Sequence, residues 1–167
     1  MAEDKSVTRV RELYGRITDF LIEKNLTVAT MESCTAGLIV SLLTDREGAS
    51  AAVKGGCVTY CTEEKIRQGV DPVTVERYGV YSPQTAAAMA KACRADLGIG
   101  ITGTFGNADP YNAGSCPGKI FFALSVKGDV HTYEKTLAAQ PDRFSYKLAA
   151  AESVAEALLE LTEGGCL

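Results

Sequence analysis

The sequence contains a single histidine, His131, and no two of its cysteines form a C-x-x-C pair. A zinc site needs a cluster of such ligands, so no metal site is expected. A serine–histidine–aspartate triad would have to use His131, which falls in a predicted hairpin where an exposed strand position is the better interpretation. If the protein is hydrolytic, we therefore expect a base other than histidine.

Long hydrophobic runs are also missing. The apolar stretches are short and are interrupted by Gly, Thr or charged residues, so none is predicted to span a bilayer. The first residues, MAEDKSVTRVRELYG, have mixed charge and lack the apolar core of a signal peptide. The net charge is −4 without a basic stripe, which is a poor basis for binding phosphate backbones. We expect a cytoplasmic protein with no membrane partner and no direct nucleic-acid binding.

The cysteines do not require a disulfide framework. Cys57 and Cys61, the closest pair, stand four positions apart. A chain of 167 residues can bury a hydrophobic core without covalent staples. Free thiols that act as small buried hydrophobes are therefore predicted at Cys34, Cys57, Cys61, Cys93, Cys116 and Cys166.

What the sequence does contain is a regular alternation of helical and strand patterns. Helices are predicted at residues 7–23, 35–44, 63–68, 73–77, 83–94 and 141–162, with Thr62 as a cap of the third. Strands are predicted at 26–32, 56–60, 96–102, 120–127 and 131–137, with a turn at Gly128-Asp129 before the last. This order predicts one α/β domain over residues 1–167, a three-layer α/β/α sandwich with a mixed, mostly parallel sheet.

Two glycine patterns resemble nucleotide-binding loops but lack their context. Residues 98–103 match G-x-G-x-x-G, yet the glycines alternate with apolar residues of a strand and no helix follows. We interpret Gly98 and Gly100 as close-packing glycines. Residues 114–119 resemble a Walker A loop that is one residue short and leads into a strand, so a P-loop is not expected.

Ser33 lies where the first strand is predicted to turn into a helix that Thr35, Ala36 and Gly37 open. Unpaired backbone N–H groups at a helix start favour an anion, and a serine there can act as a nucleophile beside ready oxyanion donors. Serine is also preferred at helix starts for purely structural reasons. From this segment alone, a simple helix cap is the favoured interpretation.

Two further strand ends carry polar residues, and ligands of open α/β sheets bind at such ends. Lys65 follows the second predicted strand closely and can act as a general base if it is partly desolvated, although it could equally be a solvated helix charge. Tyr60, at the end of that strand, could relay a proton or position a substrate. Thr102, Gly103 and Thr104 offer hydroxyl and backbone donors at the third strand end, or form only a tight turn.

These same segments carry a family resemblance. TVATMESCTAGLIVSLLTDREGAS (27–50), GGCVTYCTEEK (55–65), YGVYSPQTAAAMA (78–90) and ADLGIGITGTFG (95–106) are followed by PGKIFFAL (117–124) and DRFSYK. In this order and over nearly the whole chain, they resemble the CinA C-terminal domain family of competence/damage-inducible proteins, which includes nicotinamide mononucleotide amidases.

The resemblance implies hydrolysis of the carboxamide of nicotinamide mononucleotide to nicotinate mononucleotide and ammonia, without a cofactor. Ser33 would be the nucleophile and Lys65 with Tyr60 would activate it. The 35–37 segment and Thr102-Gly103 would hold phosphate or oxyanion. Arg143 matches a family arginine that could clamp a phosphate. A homo-oligomer is expected, and the N-terminal nucleotide-processing domain of some members is expected to be absent.

The chain departs from the family pattern near these residues. Cys61 and Thr62 replace a usual Ser-Asn pair, and the loop after Gly103 reads TFGNADPYNAGSC. These departures motivate an alternative, a non-catalytic nucleotide-binding or regulatory module. A DNA-repair or competence scaffold is a third hypothesis, which the acidic charge disfavours.

Overall fold

Helices and strands alternate along the chain in the computed structural model, which describes residues 5–165 and 167. The elements are α1 (Lys5–Glu23), β1 (Val28–Glu32), α2 (Leu38–Leu43), β2 (Val53–Val58), α3 (Thr62–Arg67), α4 (Pro72–Tyr78), α5 (Pro83–Ala92), β3 (Leu97–Gly103), β4 (Lys119–Val126), β5 (Asp129–Thr136) and α6 (Arg143–Glu163). Each predicted helix and strand is present, and each boundary lies within three residues of its prediction. Residues 49–51 add a short 3₁₀ turn before β2.

The five strands form one sheet in the order β2-β1-β3-β4-β5. β1 pairs in parallel with β2 and β3, whereas β4 pairs antiparallel with β3 and with β5. Four strands therefore point the same way and β4 points the other way, which confirms the mixed, mostly parallel sheet. The carboxyl ends of β1, β2 and β3 consequently meet at one edge.

Helices cover both faces of this sheet. Phe122 and Leu124 of β4 belong to the main core, which α1, α2 and α6 complete. Phe121 and Ala123, which alternate with them, pack against α5 instead. Because successive strand residues point to opposite faces, these two sets place helices on both sides of β4. The three-layer α/β/α sandwich is confirmed.

Two glycines of β3 let α5 approach the sheet closely. A Cβ atom at Gly98 would clash with the carbonyl oxygen of Ala90, and one at Gly100 would clash with that of Ala86. The interpretation of these residues as close-packing glycines is therefore confirmed. Both glycines lie within β3, and not in a loop of the kind that binds dinucleotides.

The β4–β5 turn lies one residue earlier than predicted. Its central residues are Lys127 (φ 49°) and Gly128 (φ 100°), while Asp129 already pairs with Val126. A two-residue hairpin turn with two positive φ values matches the twist of its strands, and Lys127 adopts the left-handed conformation that the first position requires. The prediction of a Gly128-Asp129 turn is therefore wrong.

None of the helices within the described residues is long and apolar enough to cross a bilayer.

Five cysteines in the described part of the chain are free thiols. Cys34 is buried, Cys57 and Cys93 are partly buried, and Cys61 and Cys116 are exposed. Burial is therefore confirmed only for some of them. Cys166 lies outside the described residues.

Candidate active site

The carboxyl ends of the three parallel strands bring the predicted site residues together. Ser33 directly follows β1, and its N–H donates to the carbonyl oxygen of Ile101 in β3 at 3.0 Å. The N–H of Thr59, just beyond β2, donates to the carbonyl oxygen of Glu32 at 2.7 Å. These two bonds continue the hydrogen bonding of the sheet past the ends of β1 and β2. They hold Ser33 between the end of β2 and the end of β3.

A cavity of about 340 Å³ opens at this edge. It is lined by Ser33, Cys34, Tyr60, Tyr81, Gly103, Thr104, Phe105, Asn107, Ala108, Asp109 and Arg143. Five predicted site residues are therefore at the cavity wall. Lys65 lies behind Ser33, and the lining includes neither Thr102 nor the 35–37 segment. A larger cleft of about 540 Å³ lies between α1 and α2, away from all of these residues.

Lys65 reaches Ser33 across the strand ends. Its Nζ lies 3.2 Å from Ser33 Oγ and 2.7 Å from the carbonyl oxygen of Thr59, and the residue is only 2% exposed. Within the described residues it forms no ion pair with a carboxylate. Burial therefore lowers the pKa of Lys65, because desolvation disfavours the charged amine. A buried lysine next to a serine hydroxyl is a suitable general base.

The turn after β1 differs from the predicted helix start. Ala36 (φ 51°) and Gly37 (φ 90°) adopt left-handed conformations, and α2 begins only at Leu38. The prediction of a helix from residue 35 is wrong, because two consecutive left-handed residues cannot belong to a right-handed helix. Gly37 is the N-cap of α2 and provides no side chain to cap it.

Glu32 supplies the hydrogen-bond acceptor at this helix start. Its carboxylate is fully buried at 0% exposure. It accepts hydrogen bonds of 2.7–3.1 Å from the hydroxyls of Thr30 and Thr35 and from the N–H groups of Gly37, Ile39 and Val40. The N–H of Ala36 donates to the carbonyl oxygen of Ser33 at 3.1 Å. The prediction that this segment presents unpaired donors to a ligand is therefore wrong for Ala36 and Gly37, because the protein's own side chain and carbonyl accept from their N–H groups.

Tyr60 contacts Arg143 rather than the serine. Arg143 Nη2 donates to the Tyr60 hydroxyl at 2.7 Å, and its guanidinium lies 5.4 Å from the centre of the Phe105 ring. Arg143 is the first residue of α6, where the side chain of Asp142 caps the helix by accepting from the N–H of Ser145 at 2.7 Å. Within the described residues, Tyr60 makes no hydrogen bond to Ser33.

The hydroxyls at the end of β3 are engaged by main-chain carbonyls. Thr102 Oγ1 donates to the carbonyl oxygen of Val80 at 3.0 Å, and Thr104 Oγ1 donates to that of Cys116 at 2.5 Å. At Gly103 a Cβ atom would lie 2.6 Å from the carbonyl oxygen of Lys119. These contacts favour the structural alternative, a tight turn that starts the following loop.

Sequence reasoning missed Tyr81 and Asp109. The Tyr81 hydroxyl donates to Asp109 Oδ2 at 2.6 Å, Asn112 Nδ2 donates to the same oxygen at 2.6 Å, and the N–H of Tyr111 donates to Oδ1 at 2.9 Å. The Asp109-Pro110 pair is a turn signal that could have indicated this local arrangement. Nothing in the sequence indicates that Tyr81, 28 positions away, would meet it.

Cys34 was predicted only as a buried thiol, and the structure places it at the cavity beside Ser33. It is 3% exposed, and burial raises its pKa to about 12, so its thiol stays protonated at neutral pH.

The helix α3 begins one residue earlier than predicted. Cys61, in an extended conformation, is its N-cap, and the prediction of Thr62 as the cap is wrong.

The described part of the chain holds no group of three or more His, Cys, Asp or Glu side chains that could bind a metal ion.

Comparisons with known proteins agree with this architecture. A competence/damage inducible protein of Agrobacterium tumefaciens, CihA, has a structure that superposes with a TM-score of 0.83 at 30% identity, covering 97% of this chain and 99% of that one. A CinA superfamily structure from Escherichia coli superposes with a TM-score of 0.79 at 29% identity, covering 95% and 92% of the two chains.

The sequence relatives are longer proteins. One from Clostridium novyi, whose name places it among the competence-damage inducible proteins, is 37% identical over 145 residues, which are 84% of this chain and 34% of that protein. The chain thus spans about a third of the length of such relatives. The family model described as the CinA C-terminal domain matches residues 10–162. The chain belongs to the CinA C-terminal domain family.

Proposed function

We propose that this protein is an amidohydrolase that converts nicotinamide mononucleotide to nicotinate mononucleotide and ammonia. The observation that carries the proposal is the 3.2 Å contact between Lys65 Nζ and Ser33 Oγ at the wall of the cavity. The family resemblance supplies the substrate, since the names of the relatives refer to competence and damage and not to a reaction.

In the first step, neutral Lys65 accepts the hydroxyl proton of Ser33 while Oγ attacks the carboxamide carbon. The carbonyl oxygen of Thr59 accepts a hydrogen bond from Lys65 Nζ at 2.7 Å and so holds the amine beside Ser33. In the neutral amine, the lone pair is then free to accept the proton of Ser33. The resulting ammonium then returns its proton to the leaving nitrogen, which departs as ammonia and leaves an acyl ester on Ser33.

In the second step, water replaces the amine. Lys65 takes a proton from the water as its oxygen attacks the ester carbon, and it returns that proton to Ser33 Oγ as the ester bond breaks. The sum is one amide and one water converted to one carboxylic acid, which ionises at neutral pH, and one ammonia. Tyr60 has no role in the proton transfers of this scheme.

Arg143 would hold the phosphate of the substrate. Its side chain is at the cavity wall, and its hydrogen bond to Tyr60 fixes the guanidinium. Guanidinium groups bind phosphate through paired N–H donors, which gives geometry as well as charge. The role proposed here for Tyr60 is therefore to position Arg143.

Ammonia release from nicotinamide mononucleotide tests the proposal. We expect Ser33→Ala and Lys65→Ala each to reduce the rate at least about a hundredfold, whereas Ser41→Ala and Lys54→Ala, which change exposed residues of the same types, should retain it. Circular dichroism and the thermal midpoint of each variant check that the fold is intact. Unchanged ammonia release by a folded Ser33→Ala variant would exclude Ser33 as the nucleophile.

A second candidate is a non-catalytic nucleotide-binding module. It is favoured by the engagement of the Thr102 and Thr104 hydroxyls with main-chain carbonyls, which leaves them no proton to donate to an oxyanion. This candidate predicts that nicotinamide mononucleotide raises the thermal midpoint of the wild type without any ammonia release above that of Ser33→Ala.

A further inference from the structure

The cavity wall carries two opposite charges that the protein does not neutralise. Arg143 and Asp109 both line it, and each is held by a tyrosine hydroxyl, Tyr60 for the arginine and Tyr81 for the aspartate. Within residues 5–165 and 167, neither charged group forms an ion pair. A ligand that carries both a negative and a positive group would therefore find a partner for each.

Asp109 is held as a carboxylate by neutral donors. The hydrogen bonds from Tyr81, Asn112 and the N–H of Tyr111 lower the pKa of Asp109, so it is ionised at neutral pH. These donors fix the position of the carboxylate without cancelling its charge. Oδ1 receives only one of the three bonds, which leaves it able to meet a further group.

We propose that Asp109 is a specificity-determining residue that recognises the positive charge on the ring of the substrate amide. The cavity then selects a zwitterion, with its anionic group at Arg143 and its cationic ring facing Asp109. This inference rests on the proposed function for the identity of the amide, and it assigns to the chain's own 104–118 loop the recognition of the ring.

A purely structural role for Asp109 makes a different prediction. As a structural link within its loop, the side chain needs only to accept hydrogen bonds. An asparagine oxygen can accept from Tyr81 and Asn112, which both donate to Oδ2, but the amide nitrogen in place of Oδ1 cannot accept from the N–H of Tyr111. This structural loss does not depend on the charge of the ligand ring. Recognition of a cation needs the charge itself, because the attraction to a cationic ring is Coulombic. Replacing the carboxylate by an amide separates the two roles when two ligands are compared, because the structural loss weakens both ligands alike and the loss of charge weakens only the cationic one.

The test compares two ligands that differ in ring charge. Nicotinamide mononucleotide has a cationic ring, and its reduced form has a neutral ring with the same amide, ribose and phosphate. We would measure the Kd of both by calorimetry with Ser33→Ala, which prevents turnover, and with Ser33→Ala combined with Asp109→Asn. The expected result is a loss of affinity that is roughly fivefold or more greater for the cationic form than for the reduced form.

Three further variants make the result decisive. Asp109→Glu keeps the charge and should keep the preference for the cationic form, and so should Tyr81→Phe, which removes the hydroxyl but not the carboxylate. Asp129→Asn makes the same change in charge at an exposed residue of β5, which pairs with Val126 at the end of β4 that lies away from the cavity. It should alter neither Kd.

Equal weakening of both ligands by Asp109→Asn would overturn the inference and support the structural role. Absence of measurable binding of the cationic form to Ser33→Ala would overturn it as well. A failure of the proposed amidase activity can be distinguished from a failure of this inference. If the wild type releases no ammonia while the charge preference depends on Asp109, the inference stands and the proposed function does not.

Discussion

Two strand ends build the same cavity in different ways. The end of β1 closes around Glu32, a fully buried carboxylate that holds the turn carrying Ser33 through five hydrogen bonds. The end of β3 opens into residues 104–118, a largely exposed loop whose polar contacts centre on Asp109. A buried network fixes the serine, whereas the loop opposite it contributes Phe105 to the core and can vary beyond that residue without disturbing the core. This difference predicts separate effects of mutation on stability and on ligand recognition.

Removing Glu32 should produce the largest effect. Glu32→Ala leaves three backbone N–H groups and two hydroxyls without their acceptor in a buried site, so we expect the free energy of unfolding to fall by about 3 kcal/mol or more. Urea denaturation measures the change. Glu47→Ala, at an exposed residue, is the matched control and should change stability by less than about 0.5 kcal/mol. A loss as small as that of the control would mean that Glu32 does not organise the turn.

The two regions should also differ in thiol reactivity. Cys34 in the turn is buried with its pKa raised to about 12, whereas Cys116 in the loop is exposed. Because the thiolate is the reactive form, iodoacetamide at pH 8 should alkylate Cys116 at least about a hundredfold faster than Cys34. Peptide mass spectrometry over a time course gives both rates. Comparable alkylation rates for the two thiols would contradict the burial of Cys34 in the turn after β1.

Disrupting the loop should have the smallest effect on stability. Asp109→Ala removes partly exposed hydrogen bonds outside the core, so the free energy of unfolding should fall by less than about 1 kcal/mol. Limited proteolysis should nevertheless cut residues 104–118 faster in this variant than in Asp129→Ala. A global loss comparable to that of Glu32→Ala would remove the distinction between the two regions.

The sequence allowed the elements and their layers to be predicted because the apolar periodicity and the glycine pattern of β3 are local signals. The start of α2 could not be predicted by capping rules, because the acceptor for Val40 is a side chain eight residues earlier. The contact between Ser33 and Lys65 joins residues 32 positions apart. The strand pattern placed both residues at strand ends, and the family resemblance indicated that they act together. The pairing of Tyr81 with Asp109 had no such signal.

The pH dependence of kcat/KM for ammonia release tests the central claim most directly, namely that Lys65 acts as a neutral base on Ser33. Burial lowers the pKa of Lys65, and only its deprotonated form can accept the serine proton. The rate should therefore rise with pH along a one-proton limb whose midpoint lies below the ordinary lysine value of about 10.4. A profile without this limb, or a limb that persists unchanged in the residual activity of Lys65→Ala, would contradict the account.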